Sequence, residues 1–131
     1  MTLAPATIDR LLAKAREARQ SAYAPYSGFR VGAALLAEDG RLFTGCNVEN
    51  SSFGLTVCAE RNAVAAAVLA GAKPIAAAIA ADRPRTPPCG ACRQVLAEFN
   101  PEMLLVLDAG QDAEPESVVL AALLPALFTL S

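Results

Sequence analysis

The sequence predicts an α/β protein in which helices cover both faces of a mixed β-sheet. The predicted elements follow one another in the order α-β-β-α-β-α-β, and no linker divides them. Of the 131 residues, 54% are hydrophobic, which is enough to bury a sizeable core. We therefore expect residues 1–131 to form a single domain.

The first half of the chain predicts a helix followed by a pair of strands. Apolar residues recur at helical spacing over 7–21, with charged residues on the opposite face. Two apolar runs, 31–37 and 42–48, are separated by a tight turn that ends in glycine, and both are expected to be strands. A polar loop over 49–56 follows them.

Two helices in the second half are expected to begin close to cysteines. Thr56 can cap a helix over 57–70, and Gly71 is suited to end it. A second helix, over 89–99, follows a loop that contains three prolines and ends at an Asn-Pro pair. Unpaired backbone N–H groups and the helix dipole stabilise negative charge at a helix start, so cysteines there are suited to be thiolates.

Two further strands and a short helix complete the predicted order. The segment 74–81 has the length of a strand, although its alanines favour a helix by intrinsic propensity. Residues 103–107 predict a buried strand. After a polar loop, residues 118–124 predict a short helix that leads into the tail.

Bulk properties exclude several classes of partner. The net charge of −2 argues against a nucleic-acid-binding protein, because such surfaces are basic. The apolar runs are too short or too interrupted to span a membrane. No signal peptide is visible, so four cysteines favour metal binding or redox chemistry over a disulfide framework, and a cytoplasmic location is expected.

Three cysteines form the most informative pattern of the chain. Cys58 stands in a Cys-Ala-Glu motif, and Cys89 and Cys92 stand in a Pro-Cys-Gly-Ala-Cys motif. Zinc prefers four ligands in a tetrahedron, and a catalytic zinc keeps one position open for water. Since the chain has no histidine, three thiolates and one open position are expected. The pattern predicts a hydrolytic centre with one zinc ion per chain.

Two charged residues follow the first cysteine directly. Glu60 need not bind the same metal as Cys58, and it is expected to take a proton from the water at the open position and pass it on. Arg61 is expected to hydrogen-bond the sulfurs and withdraw charge from them. The alternative for both is an ordinary position on a solvated helix face.

These motifs resemble those of the small, homotetrameric cytidine deaminases of pyrimidine salvage, over nearly the full length of the chain. The resemblance also rests on Tyr-Ser-Gly-Phe-Arg-Val-Gly-Ala-Ala at 26–34, Gly-Cys-Asn-Val-Glu-Asn at 45–50, and Leu-Leu-Pro at 123–125. It implies a three-layer α/β/α sandwich around a five-stranded mixed sheet. It also implies hydrolytic deamination of cytidine and deoxycytidine to uridine and deoxyuridine, with release of ammonia.

The same resemblance assigns roles to individual residues. Asn47 and Glu49 match residues that hydrogen-bond the ribose hydroxyls, and Phe29 matches an aromatic residue that packs against the pyrimidine. Phe128 matches an aromatic residue that a neighbouring subunit supplies, which implies a homotetramer. The implied zinc ligands are Cys58, Cys89 and Cys92, with Glu60 as proton shuttle and Arg61 bonded to the thiolates. The implied substrate-binding residues are Phe29, Asn47, Val48, Glu49, Ala59 and Phe128.

Some alternatives stay open at this point. An enzyme that deaminates a nucleoside antibiotic such as blasticidin S would share the zinc motifs, although Asn47 and Glu49 favour cytidine and deoxycytidine. A non-catalytic zinc module would need Cys46 as a fourth ligand. Phe53 and Ala122 depart from the family pattern, where tyrosine and glutamate are common.

Overall fold

The computed structural model describes residues 2–130, and these build a five-stranded sheet with helices on both faces. None of the helices in this range combines the length and the apolar character that a membrane span requires. The helices are α1 (Pro5–Arg19), α2 (Ala59–Leu69), α3 (Gly90–Phe99) and α4 (Leu120–Leu123), and a 3₁₀ turn spans Phe53–Leu55. The strands are β1 (Val31–Ala37), β2 (Leu42–Cys46), β3 (Pro74–Ala81), β4 (Leu104–Leu107) and β5 (Glu116–Val119).

The sheet is mixed, as the sequence and the family resemblance predict. Its strand order is β2-β1-β3-β4-β5. Strand β1 runs antiparallel to both β2 and β3, β3 and β4 run parallel, and β5 runs antiparallel to β4. The parallel pair places the ends of β3 and β4 at the same edge, next to the start of α3.

Helices form a layer on each face of the sheet, which confirms the three-layer α/β/α sandwich. Successive side chains of a strand point to opposite faces. Accordingly, Ala34 of β1 packs in a cluster with Leu11 of α1. Its neighbour Leu35 packs in a second cluster with Ala63 of α2 and Leu96 of α3.

The alanine-rich segment 74–81 is a strand despite its helix propensity. Strand β3 hydrogen-bonds to β1 on one side and β4 on the other. Its alanines are buried, because helix layers cover both faces of the sheet. Pairing and burial on all sides outweigh a propensity difference of less than about 1 kcal/mol per residue.

The helix predicted over 57–70 is confirmed, but the prediction that Thr56 caps it is wrong. Val48 and Val57 form an antiparallel bridge, with reciprocal backbone hydrogen bonds of 2.9 and 3.0 Å, so the chain is still extended at Val57. The helix begins at Ala59, and its N-cap residue is Cys58. Thr56 ends the preceding 3₁₀ turn instead.

The predicted helix over 118–124 is only partly confirmed. Residues Glu116–Val119 form the edge strand β5, and only Leu120–Leu123 are helical. Two consecutive valines favour an extended strand, and pairing with Leu104–Leu107 of β4 supplies the backbone partners. The other predicted elements differ from the structure only by one to two residues at their ends.

Gly32 allows α1 to lie directly on the sheet. A Cβ atom added at Gly32 would lie 2.0 Å from the carbonyl oxygen of Ala15 and 2.3 Å from the amide nitrogen of Arg19. Both atoms belong to the backbone of a helix, so they cannot move without shifting α1. We expect Gly32→Ala to lower the free energy of unfolding by about 3 kcal/mol, the upper end for overpacking.

Urea unfolding monitored by circular dichroism measures this effect, with Gly54→Ala as the control. Gly54 has no atom within 4 Å of its added Cβ and no positive φ. The control should stay within about 0.5 kcal/mol of the unmodified protein. Equal stability of the two variants would show that α1 tolerates displacement from the sheet.

An ion pair between Arg16 and Asp108 connects α1 to the end of β4. Asp108 accepts hydrogen bonds from Arg16 Nη2 at 2.6 Å and Nε at 3.1 Å, and a third from the Gly110 amide at 3.2 Å. The Asp108 side chain is only 6% exposed. Burial alone would raise the pKa of Asp108, but these donors outweigh it and hold the pKa below its usual value.

This ion pair makes the stability of the fold depend on pH. Because the pKa of Asp108 is lower in the folded chain, its contribution is complete above the unfolded-state pKa of about 3.9 and is lost as the pH falls through the folded pKa. We expect Asp108→Asn to cost about 2 kcal/mol near pH 7 and to flatten the loss of stability below about pH 5. Urea unfolding over this pH range measures it, and parallel profiles for the two proteins would contradict the expectation.

Candidate metal and substrate site

The three motif cysteines meet where the N-termini of α2 and α3 come together. Cys58 and Cys89 are the N-cap residues of the two helices, and Cys92 lies in the first turn of α3. Their sulfur atoms all lie within 4.8 Å of one another, and Cys58 Sγ is 3.8 Å from Cys89 Sγ. The structure therefore brings together the three residues predicted as ligands.

Local backbone contacts explain this placement. The bridge between Val48 and Val57 fixes the chain immediately before Cys58. A buried proline, Pro88, precedes Cys89, and its carbonyl oxygen accepts a hydrogen bond of 2.8 Å from Arg93 Nε of α3. An N-cap side chain points towards the third residue of its helix, so Cys89 and Cys92 face the same point.

The donor set fits a zinc ion. Two sulfurs bound to one tetrahedral zinc at about 2.3 Å are separated by about 3.8 Å, which matches the Cys58–Cys89 distance. Among residues 2–130, the cluster that could hold a metal ion consists of these cysteines and Cys92, without a fourth histidine, cysteine or carboxylate ligand. Cys46 lines a different cavity, beside Lys14 of α1. This arrangement leaves a coordination position for a molecule from solvent.

One thiol of the cluster ionises readily. Hydrogen bonding from Cys92, assisted by Cys89 and the charge of Arg61, lowers the pKa of Cys58 to about 5 in spite of burial. The same hydrogen bond to Cys58, together with burial and nearby Glu60, raises the pKa of Cys92. Three adjacent thiolates thus require a cation, and a coordinating metal deprotonates its thiol ligands.

Glu60 lies in the first turn of α2 beside the cysteines. It is only 5% exposed and lines the same cavity as Cys58 and Cys89. Burial, together with the nearby Cys58, raises the pKa of Glu60 to about 7. A backbone hydrogen bond and the charge of Arg61 act in the opposite direction. A carboxyl group of this kind can exchange protons near neutral pH.

Arg61 carries positive charge close to Cys58. Its Nη2 donates a hydrogen bond of 2.9 Å to the carbonyl oxygen of Thr56, and this bond connects the Arg61 side chain to the loop that precedes α2. Its Nε is buried and has no hydrogen-bond partner among the described residues. A buried unpaired donor beside a thiolate is suited to bond a sulfur that carries charge.

A cavity of about 200 Å³ opens in front of the cysteines. It brings together most of the residues predicted for the site, including Phe29 and Asn47, with Ala59 fully buried in its wall. The prediction missed five lining residues. Two of them, Val31 and Pro87, stand within or beside the sequence motifs. Nothing in the sequence around the other three indicates that they line a cavity. The five are Val31, Thr56, Ile79, Thr86 and Pro87.

The Asn47 side chain links the two strands next to the cavity. It is 9% exposed, its Oδ1 accepts a hydrogen bond of 2.8 Å from the Val31 amide, and its Nδ2 donates one of 2.9 Å to the Phe29 carbonyl oxygen. One amide proton and one lone pair remain for a further partner. Glu49 lines an adjacent recess with Phe53, and Thr56 borders both spaces.

Besides Glu49, two further predicted substrate-binding residues lie outside the cavity of their own chain. Val48 is half-exposed and bridges Tyr23 and Val57 through its backbone. Phe128 is 68% exposed, and its carbonyl oxygen accepts a hydrogen bond of 3.1 Å from Gln94 of α3. Phe128 therefore does not reach the cavity within one chain.

Comparisons with known proteins agree with this geometry. A family model of the cytidine and deoxycytidylate deaminase zinc-binding region matches residues 5–107. A cytidine deaminase of Sporosarcina psychrophila is 46% identical over 124 residues, covering 93% of this chain and 91% of the relative. The crystal structure of a cytidine deaminase from Burkholderia pseudomallei is 44% identical, with a TM-score of 0.84 over 92% of this chain and 98% of that protein. A second cytidine deaminase structure, from Mycobacterium tuberculosis, has a TM-score of 0.79 at 42% identity, over 93% of this chain and 97% of that protein. With its motif cysteines gathered in one cluster and its sheet matching these structures, the chain belongs to the cytidine and deoxycytidylate deaminase family.

Proposed function

We propose that this chain catalyses the hydrolytic deamination of cytidine and deoxycytidine to uridine and deoxyuridine, with release of ammonia. The observation that carries the proposal is the cluster of three cysteine sulfurs within 4.8 Å of one another, with the buried carboxyl group of Glu60 in the wall of the same cavity. Relatives that are 46% identical over more than nine-tenths of the chain bear the name cytidine deaminase.

Cys58, Cys89 and Cys92 would hold one zinc ion per chain. When bound, zinc lowers the pKa of a coordinated water so that it becomes a nucleophile near neutral pH. Arg61 would stabilise the sulfurs through its charge and its unpaired Nε. A non-catalytic zinc module finds no support, because Cys46 does not join the cluster among the described residues.

Glu60 would move the protons of the reaction. Its carboxylate would accept a proton from the attacking water and donate it to N3 of the pyrimidine ring. It would then accept the remaining proton of the hydroxyl group added at C4 and donate it to the amine, which leaves as ammonia when the C4–N bond breaks and the C4 carbonyl forms. A general acid–base group works best when its pKa lies near the working pH, and burial shifts the pKa of Glu60 upwards, in that direction. Its position beside the cysteines and its low exposure also keep bulk water from competing for the proton.

The nucleoside would extend from the cavity into the recess beside it. Phe29 and the buried Ala59 would border the pyrimidine, and the free positions of the Asn47 amide and the Glu49 carboxylate would meet the sugar hydroxyls. Val48 would contribute through its backbone. This pairing of an amide and a carboxylate favours cytidine and deoxycytidine over a nucleoside antibiotic such as blasticidin S.

Phe128 would act on the cavity of a neighbouring subunit. Its side chain is exposed and lies away from the cavity of its own chain, so a second copy is needed to bring it near a pyrimidine. We propose a homotetramer built from single-domain subunits over 1–131. Salvage of pyrimidine nucleosides in the cytoplasm is the role that suits such an enzyme.

The ultraviolet absorbance of cytidine, followed with zinc-loaded protein, tests the proposed activity. Loss of the cytidine spectrum, with ammonia appearing in equal amount, would support deamination. No spectral change with one zinc ion confirmed per chain would reject cytidine as the substrate. Blasticidin S, tested in parallel, would then distinguish an antibiotic deaminase from an inactive protein.

A further inference from the structure

The loop over 24–29 carries a serine whose hydroxyl group is bonded on both sides. The Ser27 hydroxyl donates a hydrogen bond to Glu49 Oε2 and accepts one of 3.0 Å from the amide of Phe29. Ser27 thus connects the carboxylate proposed for the sugar to the backbone of the ring proposed to pack against the pyrimidine.

The Glu49 carboxylate is held firmly by this loop. Its Oε1 accepts hydrogen bonds from the backbone amides of Tyr26 at 2.9 Å and Ser27 at 3.2 Å, while Oε2 accepts the Ser27 hydroxyl. The hydrogen bond from the Ser27 side chain is the main reason that the pKa of Glu49 lies below its usual value. A carboxylate offers about four acceptor positions, so one remains for a donor such as a sugar hydroxyl.

The hydrogen bonds of Ser27, Asn47 and Glu49 form one connected network around Phe29. Ser27 holds the amide of Phe29, and Asn47 Nδ2 holds the carbonyl oxygen of the same residue at 2.9 Å. Asn47 is joined to Glu49 through Val48, and the Glu49 amide donates back to the carbonyl oxygen of Tyr23 at 2.8 Å. In this network, Ser27 is the side chain that links Glu49 to Phe29; it lines the recess beside Glu49 but not the cavity in front of the cysteines.

We infer that Ser27 is a positioning residue that sets the Glu49 carboxylate relative to Phe29 and thereby tunes binding of the nucleoside sugar. The inference rests on the proposed function, since it concerns the same site. A serine hydroxyl can donate and accept at once, and this is what the link between a carboxylate and an amide needs. Replacement of Ser27 by alanine would remove both hydrogen bonds of the hydroxyl group, whereas replacement by threonine would keep the hydroxyl group.

Turnover of two substrates tests the inference. With cytidine, we expect Ser27→Ala to lower kcat/KM about tenfold, mainly through KM, since hydrogen bonds to charged groups have effects of this size. With 2′,3′-dideoxycytidine, which lacks the hydroxyls that Glu49 would meet, the loss should be about twofold or less. Ser27→Thr should recover most of the activity on cytidine. Equal losses on both substrates, or no loss on either, would overturn the inference.

A measurement that does not use activity keeps the result clear. The pKa of the Glu49 carboxyl group, measured by carbon NMR, should rise in Ser27→Ala and return in Ser27→Thr; an unchanged pKa would overturn the inference. Ser52→Ala serves as the control. Ser52 is exposed in the loop before the 3₁₀ turn, and its side chain makes no capping hydrogen bond to that turn. If the unmodified zinc protein fails on cytidine, the proposed function fails as well, whereas normal turnover by Ser27→Ala would reject the positioning role alone.

Discussion

Replacement of Glu60 by glutamine is expected to lower kcat for cytidine about a thousandfold. Glutamine keeps the size of the side chain and can still accept a hydrogen bond, but it cannot take up or release a proton. A positioned general acid–base group contributes about 10²–10⁴-fold, and Glu60 would serve several transfers in one cycle. Its burial excludes solvent from acting efficiently in its place.

The same variant should keep its zinc. Glu60 does not belong to the group of side chains that could hold a metal ion, so its loss leaves the cysteine sulfurs unchanged. Steady-state kinetics and zinc content per chain are measured together, with Glu38→Gln as the matched control. Glu38 lies exposed between β1 and β2, far from the cysteines in the fold, and its replacement should leave kcat within about twofold. Near-normal turnover by Glu60→Gln would remove the carboxylate from the mechanism.

The centre of this site could be predicted from the sequence because its parts are local. Cys89 and Cys92 belong to one helix turn, and the absence of histidine restricts the ligand set to sulfur and carboxylate donors. Their partner Cys58 lies far along the chain, yet its position next to a predicted helix was sufficient to place it. Glu60 follows from the same reasoning, because its distance from Cys58 along the helix is fixed.

Features that depend on backbone pairing between segments far apart in the sequence could not be predicted from residue patterns. The start of α2 was misplaced because the bridge between Val48 and Val57 keeps the chain extended beyond Thr56. Strand β5 was missed because its edge position is defined only by pairing with β4. Ile79 looked like any buried strand residue, and only the topology places it in the cavity wall.

Some polar side chains do more in the fold than their sequence context suggests. Asn47 and Glu49 have the composition of an ordinary turn, and in the structure both do make the contacts of a turn. These contacts also orient the two groups towards adjacent spaces, one beside the cysteines and one beside Phe53. The proposed substrate-binding roles of Asn47 and Glu49 would therefore be combined with structural roles in the same side chains, which a pattern of residue types cannot separate.

Replacement of Cys92 by serine is expected to remove zinc from the protein. Cys92 is fully buried at the first turn of α3, so no solvent-exposed residue can take its place without a shift of the helix. A serine hydroxyl is a hard donor that remains protonated near neutral pH, and it is a poor substitute for a thiolate. Zinc affinity should fall by more than about 100-fold, the upper end for changes to outer partners of a metal site.

Zinc content after dialysis measures the loss, and Cys46→Ser is the matched control. Cys46 lies apart from the cluster, so its variant should retain one zinc ion per chain and normal turnover. Loss of zinc from Cys46→Ser would instead indicate a closed site with four sulfurs and no position for water.

Thermal unfolding in the presence of a chelator separates metal loss from general damage to the core. Zinc that binds only the folded state stabilises it by about 4 kcal/mol at a free concentration a thousand times Kd. The chelator should therefore lower the Tm of the unmodified protein and of Cys46→Ser, but not that of Cys92→Ser, which has no zinc left to lose. A variant that unfolds early and still responds to the chelator would show that Cys92 stabilises the core without binding the metal. A Tm that is insensitive to the chelator, in a variant that remains folded, would assign the buried sulfur to the metal site.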